Sequence, residues 1–167
     1  GLIDKMGGSI EIKSEEGVGS SFIIRIPFKI ASAPIRVKEQ KTEATIENLN
    51  LLLAEDNELN AEIAETLLSD EGAKITVVKN GLQAVKAFQE NPCNYFDAIL
   101  MDIMMPVMDG LAATEAIRAA AREDAKTIPI IAMTANAFQE DQEQCYKAGM
   151  NAHLAKPLNM EKVIRTI

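Results

Sequence analysis

The sequence has no tryptophan, two cysteines, one histidine and an aromatic share of only 4%. A single histidine, His153, cannot build a histidine-based metal centre or a Ser/His/Asp triad with any redundancy. Cys93 and Cys145 stand far apart and show no metal-ligand spacing, so we expect two unbridged thiols. Any metal must then be held by oxygen, which selects magnesium or calcium. Basic residues are outnumbered, 17 Lys and Arg against 25 Asp and Glu, for a net charge of −8. A nucleic-acid-binding surface would be basic, so no nucleic-acid partner is expected. No apolar run approaches the ~18 residues of a membrane span, so this chain is not expected to cross a bilayer. No signal peptide opens it. The first residue is Gly1 rather than Met, from which we expect a piece of a longer polypeptide.

What is present is an ordinary soluble composition, 167 residues with 47% hydrophobic and 25% charged, enough for one full domain and a fragment of another. Residues 1–30 read as the fragment. Leu2, Ile3 and Met6 suit the last turn of a helix that Gly7-Gly8 ends. Ser9 to Lys13 alternates apolar and polar, Gly17 and Gly19 supply a hairpin turn, and Phe22 to Ile26 returns as a second strand before Pro27. A lone hairpin is marginal in water, so this one calls for a larger sheet. Residues 31–48 keep no period of 2 or 3.6 and read as a linker.

From Leu49 the pattern becomes regular. A short apolar run, 49–54, ends in Glu55-Asp56. Asn57 can cap a helix in which Leu59, Ile63 and Leu67 recur at spacings of four. Strand 74–78 follows, then a helix after Asn80-Gly81 with Leu82, Val85 and Phe88 on one face, stopped by Pro92. Strand 96–102 ends in Asp102 and meets a loop containing Pro106 and Gly110. A helix from Leu111 to about Ala121, a strand 128–133 ending in Thr134, a helix from about Phe138 to Ala148, and a short strand 152–155 ending in Lys156-Pro157 complete the series. A last helix starts at Asn159. Alternation of this kind predicts a parallel α/β sheet with helices on both faces and right-handed crossovers, in residues 49–167.

The polar residues then fall into place. Glu55, Asp56, Asp102, Thr134 and Lys156 all stand at carboxyl ends of predicted strands, the edge where open α/β sheets bind ligands. With strand order 2-1-3-4-5 the switch point lies between the first and third strands, and the three carboxylates share one crevice. Crowded acids repel unless a cation sits among them, and oxygen ligands with accessible water suit Mg²⁺. A lysine and a hydroxyl opposite suit an anionic group. The arrangement points to phosphoryl transfer onto a carboxylate. Asp97 and Asp109 read as a turn or strand-start cap and a helix cap. The methionines at 101, 104, 105 and 108 read as core and loop packing.

Two resemblances bear on this. Met6-Gly7-Gly8-Ser9-Ile10, Gly17-Val18-Gly19-Ser20-Ser21-Phe22 and Pro27-Phe28 resemble the C-terminal end of the ATP-binding domain of sensor histidine kinases. That family's asparagine helix, aspartate-glycine box and lid glycines are absent, so ATP binding is not carried over. Ala54-Glu55-Asp56-Asn57, Leu100-Met101-Asp102, Met105-Pro106-Val107-Met108-Asp109-Gly110, Ala132-Met133-Thr134-Ala135 and Lys156-Pro157 resemble, in order, the receiver domain of two-component response regulators. The second resemblance implies a flavodoxin-like fold with Asp102 as phosphoacceptor. It further implies Mg²⁺ held by Glu55, Asp56, Asp102 and the backbone carbonyl of Met104, and Thr134 and Lys156 on the phosphoryl group. The Lys156–Pro157 bond is expected to be cis.

His153 stands where that family often has a rotating Tyr or Phe, so Thr134 and His153 are the expected switch pair. Met104 cannot orient a hydrolytic water as an amide or acid could, so slow self-dephosphorylation is expected, with Asn136 a partial substitute. Together the resemblances imply a hybrid sensor histidine kinase acting in the cytoplasm, its parent chain compatible with a membrane anchor. Asp102 would take a phosphoryl group from a phosphohistidine of a kinase core, in cis or trans. It would then pass the group to a histidine phosphotransfer protein. The competing readings are a non-catalytic module that docks on its own kinase, and a flavin-binding protein. The flavin reading fits poorly, because Glu55-Asp56 replaces the hydroxyl- and glycine-rich loop a flavin phosphate needs.

Overall fold

The computed structural model describes residues 2–15, 17, 19–28, 45–134 and 139–167. The chain divides into two units, with the boundary between Gln40 and Lys41. The first holds helix α1 (Leu2–Lys5) and an antiparallel ribbon of β1 (Ser9–Glu15) and β2 (Gly19–Arg25). Its register sets Ile10 opposite Ile24 and Ile12 opposite Phe22. Side chains two apart on a strand share a face, so these four form one apolar face, and all four are exposed.

The second unit contains β3 (Asn50–Ala54), α2 (Glu58–Asp70), β4 (Lys74–Val78), α3 (Gly81–Glu90), β5 (Ala98–Asp102), α4 (Gly110–Arg118), a 3₁₀ turn (Glu123–Lys126), β6 (Ile130–Thr134), α5 (Gln139–Ala148), β7 (Ala152–Ala155) and α6 (Met160–Thr166). The five strands pair in parallel in the order β4-β3-β5-β6-β7, which is the expected 2-1-3-4-5. Helices cover both faces, so the inner strands are buried on each side and read as continuous apolar runs. Leu51, Leu53, Leu100, Ile131 and Met133 pack under α2 and α6 with Ala64, Leu68 and Val163. Leu52, Ala54, Ile99, Met101 and Ile130 pack on the other face with Val85 and Phe88 of α3, Ala113 and Ile117 of α4 and Cys145 of α5. No described helix is long and apolar enough to cross a membrane. Cys93 and Cys145 are not joined by a disulfide.

The helix starts follow their caps. Asn57, Asn80, Asp109 and Asn159 each accept the N–H of the residue three positions on, at 2.8 to 3.0 Å. Asp97 accepts the N–H of Asn50 at 2.7 Å and so ties the starts of β3 and β5 together. The Lys156–Pro157 bond is cis.

Four expectations need correction. In α2 the sheet-facing residues are Ala61, Ala64 and Leu68, while Leu59 and Ile63 are 65% and 50% exposed, because the shorter alanines let the helix lie close to the sheet. Leu82 of α3 is likewise exposed, although Val85 and Phe88 are buried as expected. Met104 is 81% exposed and packs nothing, since the loop after β5 turns it outward. Ile46, read as linker, is buried against Leu51 and Leu68 in the core of the second unit.

The lower, amino-terminal edge of the sheet is held by two arginines that periodicity cannot reveal. Arg118 donates to Gly149 O, Ala125 O and Asn151 Oδ1 at 2.8 to 2.9 Å. Arg122 grips Asp124 with two bonds of 2.7 Å, donates to the carbonyls of Phe88, Asn91 and Pro92, and lies 4.0 Å over the Phe88 ring. Asp124 is buried and also accepts the Asn94 N–H at 2.7 Å. The bond from Arg122 outweighs the burial penalty and holds this carboxyl at about 2, below its ordinary 3.8.

Two predictions follow from these contacts. A Cβ on Gly110 would lie 2.1 Å from the carbonyl oxygen of Asp102, a backbone atom that cannot move aside. Gly110→Ala is therefore expected to lower stability by about 3 kcal/mol in urea titrations. For Asp124 the folded carboxyl binds its proton less readily than the unfolded one. Its contribution, about 2 kcal/mol, is complete above pH 4 and lost as pH falls from about 4 to about 2. Asp124→Asn should remove that acid-side slope and lower stability at pH 7, measured by denaturation across the pH range.

Candidate functional site

The carboxyl-terminal edge of the sheet gathers the polar residues. Glu55 leaves the end of β3, and its N–H bonds to Val78 O at 3.0 Å. Asp56 is next to it. Asp102 is the last residue of β5, Thr134 the last of β6, and Lys156 follows β7. The order β4-β3-β5 puts the chain reversal between β3 and β5, so the ends of those two strands frame a crevice.

Three carboxylates meet in that crevice. Glu55, Asp56 and Asp102 each offer an oxygen, and these oxygens lie within 4.8 Å of one another. Glu55 and Asp102 are only 3% and 7% exposed, whereas Asp56 faces solvent. Lys156 Nζ donates to Glu55 Oε2 at 2.5 Å and to Asp102 Oδ2 at 2.6 Å. Glu55 Oε1 accepts from Asn60 Nδ2 at 3.1 Å, and Asp102 Oδ1 accepts the Met104 N–H at 3.2 Å. Every buried oxygen of the two acids therefore has a donor, as burial requires.

The charges bias one another. Burial pushes the Asp102 carboxyl above its ordinary value. The Lys156 bond pulls it down, the Glu55 charge raises it further, and the balance is upward. Burial works against the Lys156 ammonium, but its bonds to Asp102 and Glu55 prevail and its pKa is raised. Lys156 thus stays cationic at neutral pH between two acids that need it.

Of the residues expected here, Glu55, Asp56, Asp102 and Lys156 are brought into contact or near contact. Thr134 is buried beside them, and its carbonyl accepts the Lys156 N–H at 2.8 Å. Met104 reaches the site through its backbone, while its side chain points to water. His153 is apart from the carboxylates. It pairs in register with Ala132 and meets the ring of Tyr146 on α5 edge-on at 6.4 Å. Ala135 and Asn136 lie outside the described residues.

Two features escaped the sequence reading. Asn60 stands three residues after the cap Asn57, one turn into α2, where its amide can turn back to Glu55; only the helix geometry discloses this. The exposed Ile63, one turn after the exposed Leu59, lines a cavity of about 100 Å³ together with Glu55, Asn60, Lys156 and Pro157.

Comparison with known proteins agrees with this geometry. Residues 51–167 match the family model described as response regulator receiver domain. Histidine kinase 5 of Arabidopsis thaliana is 32% identical over 184 residues, covering 94% of this chain and 18% of that protein. The chain spans less than a fifth of the length of the first curated relatives it matches. Among solved structures, the receiver domain of a sensor histidine kinase from Pseudomonas aeruginosa, with a magnesium ion coordinated in its active site cleft, is 44% identical with a TM-score of 0.63, covering 71% of this chain and 93% of that one. The receiver domain of Saccharomyces cerevisiae Ssk1, crystallised with the histidine phosphotransfer protein Ypd1, is 28% identical with a TM-score of 0.62, covering 71% of this chain and 86% of that one. With its parallel five-stranded sheet and acids gathered at the carboxyl edge, this chain belongs to the response regulator receiver domain family.

Proposed function

We propose that the chain is the receiver part of a hybrid sensor histidine kinase and that Asp102 is its phosphoacceptor. The observation that carries this is the cluster itself: a buried carboxylate at a strand end, two further acids within 4.8 Å, and a lysine bonded to two of the three. Asp102 attacks the phosphorus of a phosphohistidine. An O–P bond forms, the P–N bond breaks, and the imidazole leaves with its electron pair. The reverse step returns the phosphoryl group to the histidine of a phosphotransfer protein. Positioning and charge neutralisation supply the rate, since phosphoryl transfer leaves little covalent work for the protein.

The donor set suits Mg²⁺, with Glu55, Asp56, Asp102 and the Met104 carbonyl as its ligands. When bound, the ion neutralises the acids and accepts phosphoryl oxygens. Lys156, already poised on Asp102 Oδ2, pairs with the added phosphoryl group. The Thr134 hydroxyl donates to the same group. Thr134 and His153 then bias the face of α5 and β7, where His153 meets Tyr146.

Residues 1–30 fit the C-terminal end of a kinase ATP-binding domain, 31–48 a linker, and 49–167 the receiver, with Ile46 as an added core anchor. Two things support the first assignment. The Arabidopsis kinase aligns over 94% of this chain. The ribbon also exposes the paired residues Ile10, Ile24, Ile12 and Phe22, a face that a larger sheet would cover. The natural setting is cytoplasmic, with a kinase core supplying phosphate. The Leu59–Ile63 ridge of α2, beside the cavity that opens on Glu55 and Lys156, offers apolar area to a helical phosphotransfer partner.

Incubation with radiolabelled acetyl phosphate should label the chain only in the presence of Mg²⁺, and Asp102→Asn should abolish the label. Equal labelling of the variant, or none of the wild type, would sink this reading and favour a docking module. The bound phosphate should last, because the exposed Met104 side chain has no group to orient water. A half-life of minutes or longer at neutral pH is expected, and Met104→Asn should shorten it several-fold. Decay of the wild type within seconds would contradict the role given to Met104.

A further inference from the structure

Each of the two buried acids has one oxygen tied to a fixed donor and one oxygen turned to Lys156. Glu55 Oε1 accepts from Asn60 Nδ2 at 3.1 Å, and Glu55 Oε2 accepts from Lys156 Nζ at 2.5 Å. Asp102 Oδ1 accepts the Met104 N–H at 3.2 Å, and Asp102 Oδ2 accepts from the same Nζ at 2.6 Å. The two ties differ in kind. The one on Asp102 comes from the backbone, which any residue but proline supplies. The one on Glu55 comes from a single side chain.

Neither packing nor helix formation asks for that side chain. Asn60 is exposed, so it does not fill the core. The cap Asn57 takes the backbone N–H of Asn60 at 3.0 Å, and that N–H is present whatever the side chain. The Glu55 N–H is itself bonded to Val78 O at 3.0 Å. The backbone of Glu55 is therefore fixed, its carboxylate can still rotate, and the Asn60 amide stops that rotation.

A carboxylate meets a cation through one oxygen or through both, and that choice separates the two cations that composition leaves open. Ca²⁺ gathers about six to eight oxygens and accepts both oxygens of one carboxylate, whereas Mg²⁺ demands a near-octahedral shell and keeps several waters. The narrow bite of a two-oxygen carboxylate does not match octahedral angles. With Oε1 taken by Asn60, Glu55 has one oxygen to offer. We infer that Asn60 is a specificity-determining positioning residue, which keeps Glu55 a one-oxygen donor and so favours Mg²⁺ over Ca²⁺ in the three-acid crevice. This rests on the Mg²⁺-dependent phosphoacceptor role proposed above. Removing the amide frees a second oxygen, which suits the larger ion with more ligands.

The test titrates MgCl2 and CaCl2 into the isotope-labelled chain and reads dissociation constants from amide chemical shifts, which also report that each variant is folded. The wild type should bind Mg²⁺ more tightly than Ca²⁺. Asn60→Leu keeps the side-chain size and loses the donor. It should bring the ratio of the Ca²⁺ to the Mg²⁺ dissociation constant down about tenfold, the scale on which bonds behind a metal ligand act. Asn60→Gln keeps an amide donor and should hold the ratio within about twofold of wild type. A general loss of stability weakens both ions alike and leaves the ratio where it was. An unchanged ratio in Asn60→Leu would overturn the inference. So would a wild type that prefers Ca²⁺, or an Asn60→Gln ratio that falls as far as that of Asn60→Leu. A wild type that binds neither ion would instead refute the Mg²⁺-dependent reading.

Discussion

The structure depends on the repulsion among three carboxylates at one sheet edge and on the single ammonium that offsets it. Glu55 and Asp102 are buried almost completely, where a carboxylate needs a partner. Two unit charges of like sign a few ångströms apart cost several kcal/mol at an effective dielectric near 20. Lys156 spans both acids, Asn60 takes the remaining oxygen of Glu55, and the Met104 N–H takes that of Asp102. The cluster is thus held near a balance that a phosphoryl group arriving under the proposed function would shift. Lys156, just after the edge strand β7, keeps its charge because its bonds to the two acids outweigh its burial.

The rest of the fold fixes where that balance sits. Gly110 lets α4 start against the carbonyl of Asp102, with its N–H bonded to Ile103 O at 2.9 Å. Asp97 ties the far end of β5 to β3. Arg118 and Arg122 then close the opposite edge of the sheet, so β5 is clamped at both ends and its last residue is delivered to a fixed point. Rigidity behind the site and an exposed loop in front of it suit the phosphoacceptor role proposed for Asp102.

Much of this was legible in the residues. Alternating strand and helix periods, the caps Asn57 and Asp109 and five polar residues at strand ends were enough for a parallel α/β sheet and for the company of Asp102. β4 and β7 fall where the sequence puts them. What the sequence hid has physical causes. The leucine spacing in α2 resembles a core stripe, but alanines and Leu68 take the core, Leu59 is exposed and Ile63 lines the cavity beside the site. Such a stripe signals burial of some kind, and only the packed helix says whether against the sheet or against a partner. Met104 was read as packing for the same reason: hydrophobicity says nothing about which way a loop turns. Arg118, Arg122 and Asp124 act through several hydrogen bonds of their charged groups that leave no period. His153 has an aromatic neighbour, Tyr146, that no local motif announces.

The central claim is that the phosphoryl group resides on the buried acid at the end of β5. Borohydride reduces an acyl phosphate to an alcohol, converting a phosphorylated aspartate to homoserine, and tandem mass spectrometry locates the converted residue. After treatment with Mg²⁺ and a phosphodonor, the conversion should fall on Asp102 and on no other acid. Conversion at Glu55, Asp56 or a surface carboxylate, with Asp102 intact, would contradict the account.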